Sequence, residues 1–304
     1  MKKLPETIYH DLNQAVSTGV LVRCHGLETR YHPHAELLCY INYFGPTGTF
    51  KDGLAEGMIR LAEEAGALLP GQPVVEIGHG SFAAALTLAG YRTGHPVTLV
   101  LPATAPEPRR KQLAALGAKL VLANSFDGRR GCEEKVAMVV KTQQAYYVNH
   151  CENDLNPEYH RRVTGPALLA ACGNRLDRLV VGVGSGGTIT GCGEYIKAWT
   201  NGVQVIGVEP SESRALSGGP AMRHALEGIG LGFVPENYNP YIVDSILPVT
   251  TGDGKKFAGE ALLCDGIAAC PASGAVIGAA LETAMDPANA GKRVIAIVGG
   301  CMKY

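Results

Sequence analysis

No block of like charge marks this chain: 27 Lys+Arg stand against 28 Asp+Glu over 304 residues, a formal net charge of −1 at pH 7. Such a balance offers no field to draw a polyanion or an anionic bilayer, so nucleic-acid and membrane-surface partners are disfavoured. Long hydrophobic runs are missing too. The longest uncharged stretch, 267–281, is short, rich in Ala and Gly and interrupted by Pro271, so it cannot span a bilayer. The amino-terminal run Met1-Lys2-Lys3-Leu4-Pro5-Glu6 has no apolar core behind its basic residues and does not read as a secretory signal. There is no Cys-x-x-Cys pair. The 9 cysteines are spread singly from Cys24 to Cys301, which fits reduced thiols in a cytoplasm better than a disulfide framework or a zinc site. His25, His32 and His34 lack acidic or cysteine partners at ligand spacing, and no metal site is expected. Internal repeats, low-complexity segments and long linkers are absent as well.

What remains is 46% apolar content, enough for an ordinary packed core in one large domain or two smaller ones. Short β-branched runs at 74–77, 97–101, 119–122, 179–183, 203–208 and 293–298 alternate with longer helical patterns. These lie near 52–66, 82–93, 106–116, 131–142, 157–171, 189–200, 254–265 and 274–286. The alternation predicts an α/β fold of doubly wound, mostly parallel sheets, with ligands at the carboxyl ends of the strands. Two sheet-containing lobes with a cleft between them are the natural packing.

Two local features carry chemistry. The first is a lysine in Gly45-Pro46-Thr47-Gly48-Thr49-Phe50-Lys51-Asp52, a Gly/Thr turn just ahead of a helical pattern. An amine so placed, with a lowered pKa, suits a Schiff base; the plainer alternative is a solvated lysine at a helix start. The second is Gly182-Val183-Gly184-Ser185-Gly186-Gly187-Thr188, after an apolar strand and opening a helix. Its backbone amides and hydroxyls form a phosphate cradle at a helix amino end, although tight strand–helix turns also use glycine for steric reasons alone. No Gly-Lys-Ser/Thr follows, so it is not a Walker loop, and the dinucleotide fingerprint does not fit. A phosphate cradle and a Schiff-base lysine in one chain point to pyridoxal 5′-phosphate.

With these residues in view the chain resembles the fold-type II pyridoxal-phosphate enzymes, tryptophan synthase β-like in fold, and within them the cysteine synthase and cystathionine β-synthase family. Besides the lysine motif and phosphate loop, the similarity runs through Thr18-Gly19-Val20-Leu21-Val22-Arg23, Arg109-Arg110-Lys111-Gln112-Leu113, Asn156-Pro157-Glu158-Tyr159-His160 and Thr164-Gly165-Pro166. It continues in Gly207-Val208-Glu209-Pro210, Leu216-Ser217-Gly218-Gly219, the run from Gly228 to Pro235, and Ser273-Gly274-Ala275. The resemblance implies Lys51 as Schiff-base lysine and reprotonating base, with Gly184, Ser185, Gly186, Gly187 and Thr188 on the phosphate and Gly228 to Gly230 along the imine side. It also implies a homodimer. Residues 45–150 would form a smaller mobile lobe carrying the substrate loop; 1–44 and 151–304 would form a larger lobe holding the cofactor phosphate.

Several positions depart from the family. Its substrate-carboxylate loop, Thr-Ser-Gly-Asn-Thr-Gly, becomes Gly78-His79-Gly80-Ser81-Phe82-Ala83, so Ser81 replaces the asparagine that meets the cofactor ring hydroxyl. With Thr47, the residues Gly78, His79, Gly80, Ser81 and Phe82 are the candidate substrate contacts. His79 is either a new acid/base, a carboxylate contact or a wall histidine. His150 stands where the family carries a carboxylate-binding glutamine, and Cys301 is the nearest candidate for the ring nitrogen, unless it only packs. A neutral partner there favours elimination chemistry. Gly53 stands where the family's lysine motif continues with Arg. The expected function is β-replacement or β-elimination on an O-activated serine or related β-substituted amino acid, with sulfide or another thiol as nucleophile and specificity altered by His79, Ser81 and His150. Alternatives are a non-catalytic cofactor-binding subunit or regulator, and a lyase or racemase for another amino acid.

Overall fold

The computed structural model describes residues 19–78, 80–124 and 128–302. Its strands are β1 (Val20–Arg23), β2 (Glu36–Ile41), β3 (Val74–Ile77), β4 (Val97–Pro102), β5 (Lys119–Ala123), β6 (Tyr146–Tyr147), β7 (Arg178–Gly182), β8 (Gln204–Pro210), β9 (Ser245–Val249) and β10 (Arg293–Val298). The helices are α1 (His25–Tyr31), α2 (Lys51–Glu64), α3 (Ser81–Thr93), α4 (Glu107–Ala115), α5 (Gly128–Gln143), α6 (Leu155–Tyr159), α7 (Gly165–Ala171), α8 (Gly187–Trp199), α9 (Thr251–Asp265) and α10 (Pro271–Met285). They build a six-stranded sheet in the order β1-β2-β10-β7-β8-β9 and a four-stranded sheet in the order β5-β4-β3-β6. Every pairing is parallel except β1 with β2.

Burial on both faces explains why these strands read as continuous apolar runs. In β10, Val294, Ala296 and Val298 enter one core, while Ile295 and Ile297 enter the core on the opposite face. Likewise Leu99 and Leu101 of β4 pack with α2 and α3, whereas Val100 points to α5. The six strands and eight helical patterns expected from the sequence are all present, with ends shifted by a few residues. The pattern read as one helix over 157–171 is interrupted by a π turn, His160–Thr164, between α6 and α7.

Four strands and α1 were not anticipated. β2, Glu-Leu-Leu-Cys-Tyr-Ile, holds a single β-branched residue, and β9 contains Pro248, which a sheet tolerates at an edge such as this one. β6 is only two residues long and β1 is a short edge strand. Gly53 also finds its reason here: a Cβ at that position would come 2.5 Å from the Tyr159 hydroxyl, and one at Gly57 2.1 Å from the Tyr159 ring. The face of α2 is therefore pared down to receive Tyr159, leaving no room for the longer side chain usual at Gly53. Among the described residues no helix is long and apolar enough to cross a membrane.

Candidate active site

The turn before α2 is held by the segment directly after β10. Phe50 N–H donates to the Gly299 carbonyl (2.9 Å), Cys301 N–H donates to the Gly48 carbonyl (2.9 Å), and Thr49 bridges Gly300. This short pairing sets Lys51, the first residue of α2, at the carboxyl end of β10. Asp52 tightens the turn by accepting from the Thr47 N–H (3.0 Å) and the Thr47 hydroxyl (2.9 Å). The Thr47 hydroxyl, a candidate substrate contact, is thus engaged within the turn. Lys51 is 9% exposed, with its ammonium nitrogen 4.5 Å from the centre of the Phe50 ring. Burial lowers its pKa from 10.5 to about 8, against a weaker opposing influence of Cys151.

The glycine loop joins β7 to α8. Gly186 caps the helix with φ 82°, and a Cβ on Gly187 would lie 1.9 Å from Asn156 Oδ1. A Cβ on Gly184 would lie 2.1 Å from the Gly228 carbonyl. Gly230 N–H donates to Val183 (2.9 Å), so the 228–230 turn is fastened to this loop. Ser185 Oγ accepts from the buried Asn156 amide (3.0 Å), which also donates to the His150 carbonyl. Thr188 Oγ1 is hydrogen-bonded with His160 Nε2 (3.1 Å), and His160 Nδ1 with Thr164 Oγ1 (2.9 Å). Completely buried and close to the Lys51 charge, His160 is held well below its ordinary pKa, so the ring is neutral.

The four-stranded sheet contributes the amino end of α3, where Gly80 is the cap and Ser81 the first residue. Arg109 pins this end by donating to the Gly80 carbonyl (2.8 Å). Gly78 has φ 123°, a conformation suited to glycine, while His79 lies outside the described residues. Phe82 stacks on the His150 ring at 4.1 Å and 15°. The His150 N–H donates to Glu76 Oε2 (3.1 Å), and Nδ1 lies 3.4 Å from the same oxygen, at ion-pair distance but off hydrogen-bond alignment. Burial opposes the charge on His150, yet the Glu76 carboxylate and the neighbouring Cys151 outweigh it and raise its pKa to about 9.

Near the carboxyl end, the Cys301 sulfur lies against Gly48, where a Cβ would approach it to 2.5 Å. The buried Ser273 hydroxyl donates to the Gly300 carbonyl (3.0 Å) and accepts from Gly300 N–H (3.1 Å). The Glu209 carboxylate accepts from Leu216 N–H (3.0 Å) and from the Ser217 hydroxyl, which accounts for the spacing between Gly-Val-Glu-Pro and Leu-Ser-Gly-Gly. Lys51 and the loops 184–188, 228–230 and 299–301 thus gather at the carboxyl ends of the large sheet, the position where open α/β sheets bind ligands. Sequence reasoning missed Glu76, Asn156, His160 and Asn237. A buried acid in an otherwise apolar strand was the available signal for Glu76.

The model of the pyridoxal-phosphate dependent enzymes matches residues 14–300. The chain belongs to that family, in its cysteine synthase branch. It is 36% identical over 270 residues to cysteine synthase 3 of Caenorhabditis elegans, covering 87% of this chain and 79% of the relative. Against cysteine synthase of Staphylococcus aureus the identity is 34% over 266 residues, 87% and 85% of the two chains. The crystal structure of cysteine synthase from Entamoeba histolytica superposes with TM-score 0.91 at 31% identity, covering 99% and 90%. O-ureido-L-serine synthase does so with TM-score 0.89 at 27% identity, covering 97% and 92%.

The residues present fit this enzyme family's cofactor. The Lys51 amine is buried, and among the described residues it has neither an ion pair nor a hydrogen bond. The amides of the glycine loop stand at the amino end of α8, and Asn156 Oδ1 and Asn237 Oδ1 are buried beside it without partners.

The two histidines make opposite demands on pH. His160, whose folded pKa lies below 6.5, favours folding above that value and penalises it as pH falls below, because only the unfolded chain takes the proton. His150, raised to about 9, contributes stability below pH 6.5 that is lost as pH rises from 6.5 to 9. The expected outcome is that H160Q flattens the acid limb of a stability–pH curve measured by urea unfolding, leaving the limb above pH 6.5 unchanged.

Proposed function

We propose that this pyridoxal-phosphate enzyme catalyses β-replacement, or β-elimination, on an O-activated serine or a related β-substituted amino acid. The observation that carries the reading is the amine of Lys51, buried, without ion pair or hydrogen bond among the described residues and lowered to about 8, beside an anion-binding glycine loop. When bound, the cofactor supplies an electron sink that acidifies the substrate's Cα–H.

Lys51 anchors the cofactor and then, as a free amine with a pKa near the operating pH, takes the Cα proton and returns one at the end of turnover. Gly184, Ser185, Gly186, Gly187 and Thr188 hold the phosphate, with Asn156 and neutral His160 bracing the Ser185 and Thr188 hydroxyls. Gly228 would line the side of the cofactor nearest Lys51. The backbone of Gly78, Gly80 and Ser81 at the amino end of α3 receives the substrate carboxylate; Phe82 and Thr47 border it, and His150 adds a positive charge. With the cofactor bound, Ser81 would serve the ring hydroxyl and Cys301 the ring nitrogen. The lobe of residues 45–150 closes over the substrate against that of 1–44 and 151–304. Sulfide or a small thiol is the second substrate, and the enzyme works as a cytoplasmic homodimer. The names of the relatives support this reading: cysteine synthases and an O-ureido-L-serine synthase.

The test is cysteine release from O-acetyl-L-serine and sulfide by purified holoenzyme, followed with the absorption spectrum over a panel of β-substituted amino acids. Turnover with a spectral change supports the reading. A yellow protein indifferent to the whole panel would overturn it in favour of a cofactor-binding subunit.

A further inference from the structure

Next to His150 the chain carries a thiol that the proposed chemistry does not use. Cys151 Sγ lies 3.6 Å from His150 Nε2, on the side of the ring opposite Glu76. Thiol, imidazole and carboxylate therefore stand in a row, and with Glu76 at ion-pair distance the His150 ring holds its positive charge against the sulfur, the setting that makes a cysteine nucleophilic in unrelated enzymes. Glu76 is 2% exposed, and its other oxygen accepts from Ile77 N–H (2.8 Å), so its position is fixed. Phe82 stacks on one face of the His150 ring, and Asn156 and Asn237 both donate to the His150 backbone carbonyl, which fixes the main chain there. Cys151 itself is half-buried, and its carbonyl accepts from the N–H of Asn237 (3.3 Å), which packs against Gly186 of the glycine loop, so the thiol stands beside the same cleft.

The other cysteines lack this surrounding. Cys24, Cys39, Cys132, Cys172 and Cys192 are buried. Of the half-buried ones, Cys270 faces the Ser273 hydroxyl, Cys301 faces Gly48, and Cys264 lies beside Arg30, a charge without a base.

We propose that Cys151 is a nucleophilic thiol, set up by His150 and Glu76, through which the cleft takes low-molecular-weight disulfides into covalent linkage. The thiol proton goes to solvent, the charged His150 ring stabilises the sulfur anion left behind, and that sulfur attacks one sulfur of the disulfide. The small molecule's S–S bond breaks, a new S–S bond to Cys151 forms, and the departing sulfur leaves with the electron pair and takes a proton from solvent. Cys151 is oxidised to the disulfide level, half of the small molecule is reduced to a thiol, and no other oxidant is needed. The adduct stands beside Lys51, so it blocks the cleft until a thiol reverses the exchange.

The test uses holoenzyme with 2,2′-dithiodipyridine, reading thiopyridone release and locating the label by peptide mass spectrometry. One equivalent on Cys151 is expected to react at least about tenfold faster than any other thiol, as a cysteine beside an imidazolium does. C151S should lose that phase, and H150Q should slow it about tenfold and shift its pH profile to the alkaline side. L-cystine should add one half-cystine to Cys151 and abolish cofactor-dependent turnover, with dithiothreitol restoring it. The absorption spectrum of bound cofactor checks that each variant is folded, and E76D, which keeps the carboxylate, should react faster than E76Q. A first label on Cys264, Cys270 or Cys301, or H150Q reacting at the wild-type rate, would overturn the proposal. Neither result depends on which amino acid the enzyme turns over.

Discussion

Lys51→Met is expected to stabilise the cofactor-free protein while abolishing its function. Bringing the pKa of this amine from 10.5 to about 8 costs the fold about 3 kcal/mol wherever the unfolded chain is protonated and the pH is below 8. Methionine fills much the same volume without a charge to desolvate, so urea unfolding at pH 7 should show the variant more stable by up to that amount. The sign of the pH dependence is fixed as well. Between pH 8 and 10.5 the unfolded chain holds a proton the folded chain does not, so wild-type stability rises with pH and the advantage of K51M shrinks. The same substitution removes what we propose as general base, worth about 10²–10⁴-fold in turnover, and as covalent anchor besides. After borohydride reduction the wild-type protein should carry a pyridoxyl mass on Lys51, and K51M none. A variant less stable than wild type at pH 7 would show that the amine is not held in a desolvated state.

Gly187→Ala is expected to weaken cofactor retention while leaving the lysine chemistry intact in principle. Its Cβ would fall 1.9 Å from Asn156 Oδ1, and Asn156 is fully buried and tied to both Ser185 and His150. Neither side can yield without breaking those bonds, so the loop must shift, at an overpacking cost of about 1–3 kcal/mol. If that strain falls on the loop amides, cofactor affinity should drop by about 5- to 150-fold. Titration of apoprotein with pyridoxal phosphate, read by the colour of the holoenzyme, measures it. Unchanged affinity would mean that the phosphate is not held at this helix end.

The large features were legible because they are repetitive or chemically specific. The parallel strands are buried on both faces and so stand out as apolar runs, and the loop from Gly182 to Thr188 has few uses other than a tight strand–helix turn or an anion cradle. What escaped was whatever depends on contacts distant in sequence. Glu76 lies inside a strand and meets His150 only because β3 pairs with β6, so its role as an ion partner had no local signature. His160 lies in a motif that the resemblance picked out, yet its neutrality comes from complete burial and from Lys51, more than a hundred residues earlier. Tyr159 explains Gly53 and Gly57 through a packing contact that no spacing in α2 announces.

The clasp between residues 48–50 and 299–301 has a consequence for how the enzyme comes into being. β2 pairs with β10 across some two hundred and fifty residues, and the turn that presents Lys51 rests on the segment directly after β10. During synthesis the four-stranded sheet can collapse on its own core well before β10 leaves the ribosome, but the lysine turn has nothing to lean on until it does. Capture of the vitamin-derived cofactor is therefore one of the last events in maturation, and a nascent chain arrested short of β10 carries the key amine in the wrong surroundings.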